Sequence, residues 1–207
     1  MDRRVNNWYA GSMGRPRRFD ENQVLRKARE QFWNQGYTAT SLDDLMAATG
    51  LGKGSLYGAF GDKRQLFLRT LDDYRDEQLS GVRQILTGPG TGLERLSHLL
   101  DGAAHGYAND AQRRGCFLAG STSELHGQDS EVTARARTTY QEIQNLLAAC
   151  VKDAQEEGDL AVDVSPEEVG NLLLAVLQGI EFLAKTDMDA SALIEIGRSA
   201  LANLPCP

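Results

Sequence analysis

The chain has 207 residues, room for one large or two small domains, and its 41% apolar content against 25% charged excludes a disordered chain. No apolar run approaches a bilayer span, and the opening MDRRVNNWYAGSMGRPRR lacks a signal peptide's apolar stretch, so the expectation is a cytoplasmic protein without membrane contact. The net charge of −7 conceals an asymmetry, with thirteen Lys and Arg against nine Asp and Glu through Arg75 and nine against twenty beyond it. Counterion release depends on a local basic patch, so an acidic total does not exclude nucleic acid as a partner of the basic head.

Residues 1–18 lack periodicity and end in GRPRR, where Gly14 and Pro16 oppose helix and Arg15, Arg17 and Arg18 cluster. This reads as a flexible basic arm, either a solvated tail or a contact to groove or phosphate. From Asp20, FDENQVLRKAREQFWNQGY places Val24, Leu25, Ala28, Phe32 and Trp33 on one helical face, with Gly36 as the stop. In TSLDDLMAATG, Leu42, Leu45, Met46 and Thr49 share a face, and Ser41 with Asp44 makes an N-terminal capping pattern.

GLGKGSLYGAF, Gly50 to Phe60, has the glycines and lysine of a phosphate loop but not its order. Lys53 lies between Gly52 and Gly54, and a helix, not a strand, leads into it. Leu51, Leu56 and Phe60 form an apolar stripe that leaves Lys53, Gly54, Ser55 and Tyr57 on the other side. Helix, tight turn at Gly50, helix fits an ordinary helical hairpin. It equally fits a helix-turn-helix whose second helix offers a cation, a hydroxyl and a phenol to DNA. GDKRQLFLRTLDDYRDEQLSGVRQIL then opens a long fourth helix after Gly61.

TGPGTG, residues 87–92, breaks the chain where the composition turns acidic. LERLSHLLDGAAHGYA, QRRGCFLAGSTSEL and a long segment from Ser130 to about Glu157 read as helices. Ser165-Pro166-Glu167-Glu168 starts another, with a capping serine, proline in the first turn and carboxylates at the positive end of the dipole. NLLLAVLQGIEFLAK continues it, and ASALIEIGRSALANL closes the chain. About nine helices and no strands predict an all-α protein without internal repeats.

GRPRRFD, QFWNQGY, TSLDDLMAATG, KGSLYGAF and GDKRQLF together resemble the DNA-binding domain of tetracycline-repressor (TetR) family regulators over roughly residues 14–70. RRGCFLAGSTSEL is similar to a stretch found in some members. The resemblance implies an all-helical homodimer: a basic arm (1–18), a three-helix DNA-binding domain (19–65) and a ligand-binding and dimerisation domain (66–207). It implies a palindromic double-stranded operator, release by a small-molecule effector, and no cofactor. Carried over residue by residue, it assigns Lys53, Gly54, Ser55 and Tyr57 to the groove and nearby phosphates, and Lys63 and the Ser41-capped helix start to phosphate. Gly58, Ala59 and Asp43 depart from the bulkier or basic residues common in the family.

In the body, Leu172, Leu173, Val176, Leu177 and Ile180, with Leu193, Ile194, Gly197 and Leu201, offer apolar surface for a four-helix bundle between two chains, or they bury within their own domain. A pocket for a small, mostly apolar molecule is expected among His98, His105, Cys116, Tyr140, Gln144 and Leu147, with Gln178 and Phe182 looking inward. The histidines read equally as surface. Cys116 is either a thiol sensor for oxidants or electrophiles, beside Arg113 and Arg114, or a buried inert cysteine. Cys116, Cys150 and Cys206 lack C-x-x-C spacing, and His98 and His105 are too far apart for a helical metal pair, so neither disulfide nor metal is expected. An all-α enzyme is the rival class, but nucleophile elbow, metal spacing and cofactor fingerprint are all missing from the sequence.

Overall fold

Side-chain caps mark the helix starts, with one exception where the N-cap is Gly52. In a computed structural model, which describes residues 19–206, the described residues form α1 (Glu21–Gln35), α2 (Leu42–Thr49), α3 (Lys53–Phe60), α4 (Lys63–Leu86), α5 (Gly92–Ala108), α6 (Phe117–Leu125), α7 (Ser130–Glu156), α8 (Pro166–Ala184) and α9 (Ala190–Ala202). Asp20 opens α1 by accepting the Asn22 and Gln23 N–H groups, and Asp62 opens α4 through the Gln65 N–H. Ser41 and Asp44 form the expected reciprocal box at α2, as do Thr91 and Glu94 at α5. Ser165 caps α8 with Pro166 in its first turn. The all-α architecture is therefore as expected.

One expected helix is shorter. In QRRGCFLAGSTSEL only Phe117–Leu125 is helical, because Arg113 and Gly115 take left-handed backbone (φ 51° and 64°) and Cys116 becomes the N-cap of α6. That turn lets the Trp33 indole Nε1–H donate to the Gly115 carbonyl at 3.0 Å.

Two apolar cores share α4. The first half of α4, with Leu66, Phe67, Leu71 and Tyr74, packs on Val24, Ala28 and Phe32 of α1, Leu45 of α2 and Leu56 and Phe60 of α3, and this core also takes in Phe117, Leu118 and Leu125 of α6. The second half, with Leu79 and Leu86, joins a body core built from α5, α7, α8 and α9. There α7 runs along α8 and α5 along α9.

The last two helices correct the dimer-surface expectation. Leu173, Ile180 and Leu193 are fully buried in the chain's own core. Leu177 is buried too, on a cavity wall. A Cβ on Gly197 would meet the Leu100 Cβ at 3.0 Å, so its smallness serves the approach of α9 to α5 within the chain. What faces outward on α8 is Leu172 (50% exposed) and Phe182 (67%), with the exposed Ala175 and the half-buried Val176 and Gly179 between them. These positions recur at helical spacing and form one stripe. Ile194 and Leu201 of α9 are half-buried.

Candidate functional site

In the head, the α2–α3 turn depends on Gly50, whose left-handed φ of 74° ends α2 and redirects the chain. Leu56 and Phe60 anchor α3 inward, which leaves Lys53, Gly54 and Ser55 exposed and Tyr57 half-buried, all as their stripe predicted. Among the described residues Lys53 has no ion pair, and no side chain caps the N-terminus of α3. Its first-turn N–H groups and an unpaired cation thus share one surface. Lys63 is half-buried with its ammonium over the Tyr37 ring at 4.4 Å. The Ser41 hydroxyl is committed to Asp44, donating to Oδ2 at 2.6 Å and accepting the Asp44 N–H at 3.1 Å. Arg15, Arg17 and Arg18 lie outside the described residues.

Polar contacts fasten this head to the body. The Glu124 carboxylate of α6 accepts the N–H groups of Tyr37 (2.9 Å) and Thr38 (2.7 Å) in the α1–α2 loop. Burial works to raise its pKa, but those N–H groups outweigh it and hold the carboxyl below its usual range. Arg64 makes a two-pronged pair with Asp129 at 2.7 and 3.0 Å. Arg114 pairs with Asp110 and Glu30 and lies over the Trp33 ring at 4.3 Å.

The body holds a cavity of about 80 Å³ between α4, α5, α6, α7 and α8. Its apolar wall is Val82, Leu99, Ala103, Leu118, Ile143, Leu174 and Leu177, and its polar groups are Tyr74, Gln78, Tyr107, Cys116, Thr139, Tyr140, Gln178 and Glu181. Glu181 dominates the chemistry. Only 4% exposed, it accepts the Cys116 N–H at 2.7 Å on one oxygen, and the Gln178 side-chain amide (3.1 Å) and the Tyr107 hydroxyl (3.4 Å) on the other. Desolvation pushes its pKa up to about 7, against the pull of Lys185 and Tyr107. Burial also lifts Tyr140 to about 12, and the Tyr74 and Tyr140 hydroxyls are buried without a hydrogen-bond partner.

Of the expected pocket residues, Cys116, Tyr140 and Gln178 line this cavity. The other five do not, for geometric reasons. Leu99, Ala103 and Tyr107 give α5 its cavity face, and His98 and His105 point off it as exposed side chains. Gln144 and Leu147 share the Tyr140 face of α7 but sit about 6 and 10 Å further along the axis, Gln144 near the Glu167 carbonyl and Leu147 in the core. Phe182 falls about 90° off the stripe of Leu174, Leu177, Gln178 and Glu181 and faces outward at 67% exposure, opposite to the inward expectation. Tyr74, Tyr107 and Glu181 were missed. The signal available was the spacing of Glu181 four residues after Leu177 on an otherwise apolar helix face. Among the described residues no group of three or more His, Cys, Asp and Glu side chains is placed to hold a metal ion, and none of their helices is long and apolar enough to cross a membrane.

The comparisons with known proteins agree with this geometry. Residues 24–70 match the bacterial regulatory proteins of the tetR family, and residues 92–200 match the tetracyclin repressor-like C-terminal domain. The chain is 26% identical over 195 residues to the HTH-type transcriptional repressor ComR of Escherichia coli (strain K12), covering 94% of this chain and 93% of that protein. It is 26% identical over 182 residues to the uncharacterized HTH-type transcriptional regulator YezE of Bacillus subtilis (strain 168), covering 87% and 94%. Among solved structures, a cysteine mutant of the TetR family transcriptional regulator CifR complexed with 26-bp double-strand operator DNA is similar with TM-score 0.83 and 29% identity, covering 92% of this chain and 100% of that one. The chain belongs to the TetR family: it is a DNA-binding helix-turn-helix transcriptional regulator and not an enzyme.

Proposed function

We propose that the protein is a cytoplasmic homodimeric repressor, released from a palindromic operator when a small, mostly apolar effector enters the cavity beside Glu181. The observation that carries this reading is the course of α4, whose first half packs in the head core and whose Tyr74 and Val82 line the cavity. Residues 19–65 serve as the reading head, with Lys53, Gly54, Ser55 and Tyr57 in the major groove and Lys63 and the start of α2 at phosphates. Residues 66–207 sense and dimerise. The outward stripe of Leu172, Ala175, Val176, Gly179 and Phe182, flanked by Ile194 and Leu201, is the seam with a second copy. A dimer sets two α3 helices one helical turn of DNA apart, and the effector favours a spacing that mismatches the operator. Its leverage is its differential affinity for the two states, about 1–3 kcal/mol in typical allosteric systems.

The test is fluorescence anisotropy of labelled DNA from upstream of the protein's own gene, with sedimentation of the same samples. Lys53→Ala is expected to weaken binding and flatten the salt dependence by about one unit. Phe182→Glu is expected to give a monomer. Unchanged affinity and salt slope reject the groove assignment, and an undiminished dimer rejects the seam.

A second reading, sensing through the Cys116 thiol, is favoured by its place in the same cavity wall. Under that reading Cys116→Ser retains DNA binding and abolishes release by an oxidant or electrophile.

A further inference from the structure

We propose that the cavity takes a small organic cation, a protonated primary amine on a compact branched apolar body, with its ammonium held among Glu181, Tyr74 and Tyr140. This rests on the effector reading above and names the effector's chemistry. The wall carries one acidic side chain and no Lys, Arg or His among the described residues, and Lys185 acts on Glu181 from outside the lining, so an anion would meet a carboxylate with no cation beside it on the wall. The three donors that Glu181 already accepts are a backbone N–H, an amide and a phenol, none of them cationic. Two further acceptors wait beside it, the buried and unpartnered hydroxyl oxygens of Tyr74 and Tyr140. Tyr74 is only 2% exposed. Burial opposes its ionisation first, and Tyr107, Glu181 and Tyr140 add to that; all four side chains line the same cavity.

An ammonium has three N–H donors, matching one carboxylate oxygen and two phenol oxygens, and the tyrosine rings add attraction for a desolvated cation. A neutral alcohol can satisfy at most part of that set and leaves the carboxylate charge unbalanced. Size follows from volume: an apolar cavity of about 150 Å³ accepts benzene. The 80 Å³ here, about half of that, suits a body of about three or four non-hydrogen atoms.

The titratable and charged groups around Glu181 are Tyr74 from α4, Tyr107 from α5, Cys116 at the start of α6, Tyr140 from α7 and Lys185 on its own helix. Amine binding requires the ionised carboxyl. With its pKa near 7, affinity for an amine that stays protonated rises about tenfold between about pH 6 and about pH 8.

The experiment is isothermal titration of the full chain with isobutylamine, isobutanol and isobutyrate, with operator anisotropy read on the same samples. The amine is expected to bind at least about tenfold more tightly than the alcohol near pH 8, and isobutyrate is not expected to bind. Glu181→Gln should cost the amine about tenfold and leave the alcohol within about twofold, and Tyr140→Phe should cost the amine about threefold. Tyr140→Phe also reads the site if Glu181→Gln fails to fold. Equal binding of amine and alcohol, or an amine affinity indifferent to both substitutions and to pH, overturns the proposal. Operator release by isobutanol without amine binding overturns the cation and keeps the effector reading. Amine binding with these dependences and no change at the operator upholds the site and removes the effector reading.

Discussion

The two cores of this protein are filled differently. In the head, Phe32, Phe67 and Phe117 stack edge-to-face, with Phe67 at 5.1 and 6.0 Å from the other two, and Trp33 and Tyr74 extend the cluster. In the body, aliphatic helices part around a cavity that holds a buried carboxyl and two phenols without partners. Unsatisfied buried polar groups cost stability, so a core retains them where something else gains. The head must hold α3 in one place, and close packing does that. Under the proposed effector reading the body takes one arrangement with a ligand and another without it, and an open polar centre permits that.

The largest expected effect tests this difference directly. Phe32 is 1% exposed between Tyr37 and Phe67, so Phe32→Ala should cost about 3–5 kcal/mol in urea unfolding. Leu177 faces existing space, so Leu177→Ala should cost about 2 kcal/mol, the low end for its type. Equal costs at the two sites would erase the contrast between a filled core and an open one.

Next in size is the pH dependence of the body. Glu181 moves from an ordinary 4.5 when unfolded to about 7 when folded, so between those values the folded chain binds more protons than the unfolded chain. The contribution of Glu181 is then full below about pH 4.5 and falls as the pH rises to about 7, by up to about 3 kcal/mol. Glu181→Gln should remove that slope, as measured by urea midpoints across the window. A wild-type curve flat over this range would mean that the carboxyl stays hydrated.

The head was legible because its determinants are local. Leu56 and Phe60 four residues apart, Gly50 in a left-handed turn and Ser41 three before Asp44 each act within one turn of helix. The cavity was half legible. Periodicity shows that α8 has apolar faces but does not say which one meets its own chain, and so the expected seam joins Leu172, which is exposed beside Phe182, to Leu173 and Ile180, which the chain's own core buries. Glu181 is not legible in the sequence, because a carboxylate on a helix reads as a solvated face. What buries it is the Cys116 N–H and Tyr107, 65 and 74 residues away along the chain, a relation no local pattern carries.

The smallest effect falls where the two cores meet. Glu124 is the α6 carboxylate that accepts the Tyr37 and Thr38 N–H groups across 87 and 86 residues of chain, and it belongs to neither apolar core. Glu124→Gln keeps one acceptor oxygen and puts an NH2 donor where the other stood, so one of the two N–H groups loses its partner along with the charge, and the cost should be about 1 kcal/mol, discounted because the group is half-exposed. Its depressed pKa gives a sign opposite to that of Glu181: its contribution is present above the unfolded value of 4.5 and lost as the pH falls through the lower folded value. The variant should therefore lose less stability on acidification below about pH 4.5 than the parent chain does. If α6 carries cavity changes to the head through this contact, the same variant should bind operator normally and release it less completely with effector. Parallel acid curves for variant and parent would show that the carboxylate charge adds nothing at this contact, and would leave α4 as the mechanical link between the cores.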